Sequence, residues 1–89
     1  MNALSVASAA SALGDPTRLA VYSLCDGRLT VQDIAQSVNV TSSTICYHLK
    51  GLDRAGLVVG AREGRRNCPR RRPERLWELA KGMSQLGHR

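Results

Sequence analysis

The chain has 89 residues, which is enough for one domain over residues 1–89 and too few for two. A chain of this length buries only about 60–65% of the surface that its unfolded form exposes, so we expect a second chain to complete its core. It contains no Phe, and its three aromatic residues are Tyr22, Tyr47 and Trp77. This composition excludes a large enzyme, a collagen-like chain and a disulfide-rich scaffold.

The charge lies in the second half of the chain. Residues 1–50 carry three basic and three acidic side chains, whereas residues 51–89 carry ten Lys or Arg against four Asp or Glu. The whole net charge of +6 therefore lies after residue 50, and seven arginines fall between Arg62 and Arg75. Such a basic segment indicates a polyanionic partner, although a solvated basic face is the alternative.

The cysteines and the hydropathy indicate a reduced, cytoplasmic protein. Cys25, Cys46 and Cys68 cannot all pair within one chain, and no two of them form a C-x-x-C motif. No run approaches the ~18 apolar residues of a membrane span, and residues 1–14 lack the basic segment of a signal peptide. We therefore expect no membrane partner.

Two helices are predicted before residue 27. An alanine-rich segment with small residues at near-helical spacing ends at Gly14. Asp15 and Pro16 then supply the N-cap and the first residue of a second helix. Leu19 and Leu24, with Tyr22 or Ser23 between them, form its apolar stripe. The Asp26-Gly27 pair ends this second helix.

Two further helices are separated by a turn of about three residues. Thr30 and Asp33 form a capping-box pattern at the start of one helix, and Thr41 caps the next, which runs to about Ala55. This arrangement is typical of a helix-turn-helix, here over about residues 30–55. Its second helix buries the stripe Ile45, Leu49 and Leu52, which leaves a hydroxyl-rich N-terminal face for phosphates and bases.

A β-wing is predicted over about residues 57–71. An apolar strand begins at Leu57, the Glu63-Gly64 pair supplies a turn, and Asn67 to Arg71 form the returning strand. Because Pro69 cannot donate to a strand ladder, we expect that second strand to be short or frayed. The arginines around the turn are placed to reach a phosphate backbone.

The last helix is predicted over about residues 73–87. Its apolar stripe has no core left to cover, which usually indicates a subunit contact. The stripe consists of Leu76, Leu79 or Ala80, Met83, and Leu86 or Gly87, with Trp77 beside it.

The ordered motifs resemble the ArsR (SmtB) family of bacterial winged-helix repressors. The motifs are LGDPTRL at 13–19, LTVQDIA at 29–35, VTSSTICYHLKGLDRAGLV at 40–58, REGRR at 62–66 and RPERLWEL at 72–79. The resemblance covers about residues 3–86 in collinear order. It implies a mainly α winged helix-turn-helix with a short two-stranded β-wing, dimerising through its first and last helices. The dimer interface that this implies consists of Leu4, Ala7, Ser11, Leu76, Trp77, Leu79, Ala80 and Met83. It also implies repression through a partly palindromic operator on double-stranded DNA.

Candidate DNA contacts follow from the motif positions. On the recognition helix the expected contacts are Thr41, Ser42, Ser43, Thr44, Cys46 and Tyr47, and on the wing they are Arg62, Arg65, Arg66 and Arg70. For the hydroxyl residues, plain helix-start chemistry is an equal alternative. His48 is interpreted as a packing or phosphate-contacting residue rather than a metal ligand, because no second ligand lies at a helical spacing from it.

The departures from the family pattern concern the inducer. None of the family's familiar metal sites is present, so no metal and no cofactor is predicted. Cys46 is a candidate redox residue, because thiols near helix N-termini and cations oxidise readily. A small polar contact like that of Ser is the alternative for Cys46. The regulator can therefore have a small-molecule or redox inducer, and the sequence does not identify it.

The sequence therefore predicts a sequence-specific transcriptional regulator, a homodimeric repressor, and not an enzyme. No paired carboxylates, no nucleophile with base and orienting group, and no phosphate loop are found. The alternative function is a protein-interaction or antirepressor module on the same scaffold, in which the arginines bind an acidic protein.

Overall fold

The computed structural model describes residues 3–60 and 62–86, with the side chains of residues 6–60, 62 and 64–84. Its helices are α1 (Ala3–Gly14), α2 (Pro16–Leu24), α3 (Val31–Val38), α4 (Ser42–Arg54) and α5 (Pro73–Leu86). Its strands are β1 (Val58–Val59), β2 (Arg62–Glu63), β3 (Arg66–Asn67) and β4 (Arg70–Arg71). None of the described helices is long and apolar enough to cross a membrane.

The predicted helix starts are confirmed. The Asp15 carboxylate accepts a hydrogen bond of 2.9 Å from the backbone N–H three residues on, and Pro16 is the first residue of α2. Thr30 and Asp33 form a complete capping box, with hydrogen bonds of 3.1 and 2.9 Å. The Thr41 hydroxyl accepts from a backbone N–H at 3.2 Å at the start of α4. These caps satisfy N–H groups that a helix start leaves unpaired.

Helix α4 ends in a Schellman motif at Gly56, where the sequence predicted its end. The Gly56 N–H donates to Asp53 and the Leu57 N–H donates to Leu52, both at 2.9 Å. Gly56 has φ +74°, and a β-carbon at this position would lie 2.6 Å from Arg75 Nε. Both the backbone conformation and the close packing therefore require a glycine.

The core lies where α2, α3, α4 and β1 converge. Its largest fully buried side chains are Ile34, Ile45, Leu52, Leu57, Val21 and Cys25. The predicted stripe of α4 is confirmed, with Leu49 partly buried beside Ile45 and Leu52. Burial of one such aliphatic side chain is worth about 1.5–3 kcal/mol, so this small set holds α4 in place.

The predicted stripe of α2 is wrong at Leu19, whose side chain is 48% exposed. The buried face of α2 instead carries Val21, Tyr22 and Cys25. The neighbouring Arg18 takes the position that faces α4, and successive helical residues differ by about 100° in direction, so Leu19 turns towards solvent.

Helices α1 and α5 pack closely within the chain. Gly82 lies directly against Val6, so that any β-carbon on Gly82 would clash with the valine side chain. Leu79, predicted as a subunit contact, is only 4% exposed and belongs to the core of its own chain together with Val6 and Ala9. The assignment of Leu79 to the dimer interface is therefore corrected, since α1 covers this part of the stripe.

The wing consists of two short antiparallel ladders. Strand β1 pairs with β4 at the base, and β2 pairs with β3 at the tip. Glu63 and Arg66 are paired, so the turn residues are Gly64 and Arg65, one position later than predicted. Gly64 adopts the expected positive φ, at +60°. Arg65 therefore occupies the extreme tip of the hairpin.

The returning strand is interrupted at Cys68 and Pro69, as the proline predicted. The Pro69 carbonyl accepts from the Gly27 N–H at 3.0 Å, and the Arg71 N–H donates to the Cys25 carbonyl at 2.9 Å. Strand β4 is thus held between β1 and the segment that follows α2. The proline is tolerated because it falls between the ladders and contributes only its acceptor.

Candidate nucleic-acid interface

One face of α4 is exposed beside the wing. Cys46, Tyr47 and Lys50 lie three, four and seven residues after Ser43, which places the four residues on a single helical face, and all are exposed. Ser42 is exposed as well. Lys50 was not selected from the sequence, although its spacing from Cys46 and Tyr47 would have identified it.

The hydroxyls of Thr41 and Thr44 serve the helix start. The two oxygens lie 3.0 Å apart, and Thr41 accepts from the Thr44 backbone N–H. Thr44 is half-buried, whereas Thr41 is exposed. The structure thus separates these capping residues from the outward-facing Ser42 and Ser43.

A groove runs between α4 and the wing. It has a volume of about 250 Å³, and its walls include Cys46, Lys50 and Asp53 from α4 with Asn67 and Pro69 from the wing. Cys46 therefore lies on the wing side of the exposed α4 face.

Tyr47 lies on the other side of that face, next to α2. Its ring is 65% exposed, and the Arg18 guanidinium carbon is 5.6 Å from the ring centroid. His48 is 7% exposed, and its Nδ1 accepts a hydrogen bond of 3.4 Å from Arg18 Nε. His48 therefore packs against α2. Across residues 3–60 and 62–86, no three His, Cys, Asp or Glu side chains come together as a metal site.

The wing tip carries exposed arginines. Arg62 and Arg65 are exposed, and Arg66 is exposed with its Nη2 donating to the Arg28 carbonyl at 3.4 Å. The Arg66 charge also lies near Asp33, whose pKa is held below its usual value mainly by hydrogen bonds from the Thr30 backbone and hydroxyl and further by Arg66. Arg66 thus leans towards the start of α3, which leaves Arg65 as the outermost cation.

The remaining arginines of the segment belong to the base of the wing and to α5. Arg70 pairs with Val59 in the base ladder, away from the other predicted wing contacts. Arg71 Nη1 donates to the Ser23 carbonyl at 2.6 Å, at the end of α2. Two ion pairs, Arg72 with Glu74 at 3.2 Å and Arg75 with Glu78 at 2.8 Å, account for the last two arginines.

The three thiols have different environments. Burial raises the pKa of the Cys25 thiol to about 11, and its S–H donates to the Val21 carbonyl at 3.2 Å. Cys68 is 9% exposed and donates to the Arg28 carbonyl. Cys46 is exposed on α4. Solvent oxidants therefore reach Cys46 more easily than the other two.

An apolar face of α5 is exposed. Leu76, Trp77 and Met83 are 43%, 78% and 51% exposed, and Ala80 lies between them. On α1, Ala7 and Ser11 are exposed, whereas the side chain of Leu4 lies outside the described residues.

These features define the class of protein. A three-residue turn joins α3 to α4, α4 exposes polar side chains, and a cationic hairpin stands beside it, which is the arrangement of a winged helix-turn-helix domain. A family profile described as "Helix-turn-helix domain" matches residues 13–61. The chain belongs to the ArsR family of winged helix-turn-helix transcriptional regulators.

Similar proteins agree with this assignment. The HTH-type transcriptional regulator NmtR of Mycobacterium tuberculosis is 41% identical over 64 residues, which are 71% of this chain and 53% of that protein. The match thus spans about half the length of that relative.

Two solved structures are similar over most of the chain. An ArsR-like transcriptional regulator from Rhodococcus sp. RHA1 superimposes with a TM-score of 0.82 at 26% identity, covering 94% of this chain and 80% of that one. A homodimeric winged helix-turn-helix DNA-binding domain from Mycobacterium bovis has a TM-score of 0.75 at 27% identity, covering 92% and 78%.

Proposed function

We propose that the protein is a cytoplasmic homodimeric repressor that binds a partly palindromic operator. Helix α4 of each protomer enters the major groove, and the wing tip lies on the adjoining phosphates. The observation that carries this proposal is the exposed α4 face of Ser43, Cys46, Tyr47 and Lys50 beside the cationic hairpin. The dimer carries twice the net charge of +6, which favours association with DNA.

Base contacts come from the exposed side chains of α4. Serine hydroxyls at Ser42 and Ser43 donate to or accept from base edges, and the Tyr47 ring presents an apolar face and a hydroxyl. Thr41 and Thr44 hold the start of α4 towards a phosphate. Arg62, Arg65 and Arg66 neutralise phosphates at the tip, and Arg70 supplies a more distant positive charge at the base.

The dimer forms through the exposed faces of α5 and α1. The described chain measures 48 × 23 × 15 Å with a radius of gyration of 13.6 Å, whereas a compact domain of this length would have about 12 Å. An elongated protomer with Leu76, Trp77 and Met83 exposed is typical of one half of a dimer. The homodimeric state of the Mycobacterium bovis domain supports the same assembly.

The assembly is tested by sedimentation of a Trp77→Ala variant. We expect the dimer to weaken, because truncation of a central aromatic residue of an interface typically costs more than about 1 kcal/mol. Tyr47→Ala serves as the control, since it removes an aromatic ring that is also mostly exposed but lies on the α4 face. If both variants dissociate alike, or neither does, the assignment of the dimer surface is wrong.

DNA binding is tested by fluorescence anisotropy of the reduced protein. One duplex comes from upstream of its own gene, and a scrambled duplex of equal composition serves as the control. Specific binding is expected to exceed non-specific binding, which lies near 10⁻⁴–10⁻⁶ M at physiological salt, by about a thousandfold or more. Equal weak binding to both duplexes would contradict autoregulation through this operator. No binding to either would favour the protein-interaction or antirepressor module.

We further propose that oxidation of Cys46 releases DNA. Peroxide transfers one oxygen atom to the thiol, which gives a sulfenic acid and water. The added oxygen occupies the α4 face, where it disrupts close contact with bases. Cys46→Ser is expected to bind DNA like the wild type and to keep binding after peroxide treatment. Equal loss of binding by both proteins would show that Cys46 is not the sensor.

A further inference from the structure

The side chain of Arg18 crosses from α2 to α4. Its Nε donates to His48 Nδ1 at 3.4 Å, and its guanidinium carbon is 5.6 Å from the centroid of the Tyr47 ring. A β-carbon on Gly51 would lie 2.8 Å from the same guanidinium carbon. The guanidinium therefore occupies space on α4 that exists because residue 51 has no side chain.

The two rings of this cluster also contact each other. The Tyr47 and His48 centroids are 5.4 Å apart with an angle of 67° between the ring planes, which is a favourable edge-to-face arrangement. His48 is buried, whereas Tyr47 is mostly exposed. An exposed tyrosine samples several rotamers unless neighbouring groups restrict it. Here Arg18 and His48 both restrict the ring of Tyr47.

The backbone of Arg18 is fixed as well. Its N–H donates to the Asp15 carboxylate at 2.9 Å, which anchors Arg18 in the first turn of α2. This hydrogen bond is the main reason why the pKa of Asp15 lies below its usual value. The cluster of Arg18, Tyr47, His48 and Gly51 thus links a capped helix start to the exposed face of α4.

We propose that Arg18 is a positioning residue for DNA recognition, which sets the sequence preference of the protein by holding the Tyr47 ring in one orientation. This inference rests on the proposed DNA-binding function. Arg18 acts through Tyr47, so its removal weakens binding to the preferred sequence more than binding to other DNA. A cation that merely neutralises phosphates would weaken both alike.

The hydrogen bond also fixes the state of His48. A ring nitrogen that accepts a hydrogen bond carries no proton, so this contact requires the tautomer of His48 with its proton on Nε2.

The first experiment compares Arg18→Met with a matched control, Arg28→Met. Both variants remove one positive charge per protomer, but the exposed Arg28 side chain lies in the loop between α2 and α3. The probes are a duplex selected from a random library by the wild-type protein and a shuffled duplex of the same composition. Arg18→Met is expected to lose about tenfold in affinity for the selected duplex, which equals about 1.4 kcal/mol, and to bind the shuffled duplex like Arg28→Met.

Two further variants distinguish an effect of Arg18 on the Tyr47 ring from an effect of its charge alone. Arg18→Lys keeps the charge but lacks the planar guanidinium, so it is expected to lose the preference as Arg18→Met does. In a Tyr47→Leu background, Arg18→Met is expected to change the preference no further. Equal losses for Arg18→Met and Arg28→Met on both duplexes would overturn the proposal, as would restoration of the preference by Arg18→Lys.

Nitrogen NMR of the histidine side chains tests the geometry without DNA. Wild-type protein is expected to show the His48 tautomer with the proton on Nε2, and Arg18→Met is expected to lose that preference. A neutral imidazole of wild-type His48 with its proton on Nδ1 would overturn the proposal. If the random library yields no preferred sequence, the proposed function fails, and the NMR result still decides whether Arg18 holds the α4 cluster.

Discussion

The arginine at the wing tip allows a quantitative test of DNA binding. Arg65 is the second residue of the hairpin turn and is exposed, and a dimer carries two such tips. Each neutralised phosphate contributes about 0.9 to the slope of log affinity against log salt. Loss of both contacts in Arg65→Ala should therefore flatten the slope by about 1.8. When salt rises from 50 to 200 mM, the affinity of the wild type should therefore fall about twelvefold more than the affinity of Arg65→Ala.

The matched control is Arg72→Ala. It also lowers the charge of the dimer by two, but Arg72 is paired with Glu74 at 3.2 Å, next to the start of α5. Anisotropy titrations of the same operator duplex at four or five salt concentrations give both slopes. We expect a clear change for Arg65→Ala and a change of less than about 0.5 for Arg72→Ala, because the Arg72 charge is already paired with Glu74.

Two outcomes would contradict the proposed contact between Arg65 and phosphate. If both variants flatten the slope equally, affinity depends on total charge and the wing tip makes no phosphate contact. If Arg65→Ala weakens binding to the operator alone, with an unchanged slope and unchanged binding to scrambled DNA, Arg65 reads bases instead of phosphates.

Three further predictions concern stability, each measured by urea unfolding at a fixed protein concentration. Gly56→Ala is expected to destabilise the protein by about 1–3 kcal/mol, because residue 56 has φ +74° and its β-carbon would meet Arg75. The control is Gly14→Ala, whose β-carbon would meet nothing within 4 Å, so this variant should be neutral or stabilising. The pKa of Asp33 is lower in the folded protein than its unfolded value of about 3.8, so the charged cap stabilises the fold above that pH and this stabilisation is lost as the pH falls through the folded pKa. Asp33→Asn should therefore destabilise the protein at pH 7 but not at a pH below the folded pKa. A loss of stability that is the same at every pH would contradict this. Leu79→Ala should cost about 2–5 kcal/mol, and a cost below about 1 kcal/mol would place Leu79 outside the core.

Local features of the fold were predictable from the sequence. The caps at Asp15, Thr30 and Thr41 depend on hydrogen bonds between residues three positions apart, so the residue types alone indicate them. The cap at Thr41 also fixes where the three-residue turn after α3 ends. Gly56 and Gly64 were also predicted correctly as helix end and turn residue, because both adopt positive φ.

Features that depend on how helices pack were not predictable. The spacing of Leu76, Leu79 and Met83 shows one stripe, but the approach of α1 at Gly82 decides that Leu79 is covered and the other two are exposed. Leu19 was misassigned because hydropathy favours a leucine inside, whereas the structure places Arg18 against α4.

The α4 face was predicted from residue type and helical spacing, and its exposure agrees with that prediction for Ser42, Ser43, Cys46 and Tyr47. The partners of Tyr47 were not predicted, because Arg18 lies 29 positions earlier in the chain and only the packing of α2 on α4 brings them together. Arg71 shows the same effect, since its contact is the Ser23 carbonyl, 48 positions earlier in the chain.

The interruption at Pro69 divides the wing into parts of unequal stability. The base strand β4 has neighbours on both sides, so we expect its amides to exchange with solvent only when the surrounding core opens. The tip hairpin has a single ladder of two residue pairs, so we expect it to open by itself at little cost in free energy. The outer cations therefore stand on the less strongly held part of the wing, whereas the base is hydrogen-bonded to the segment that follows α2.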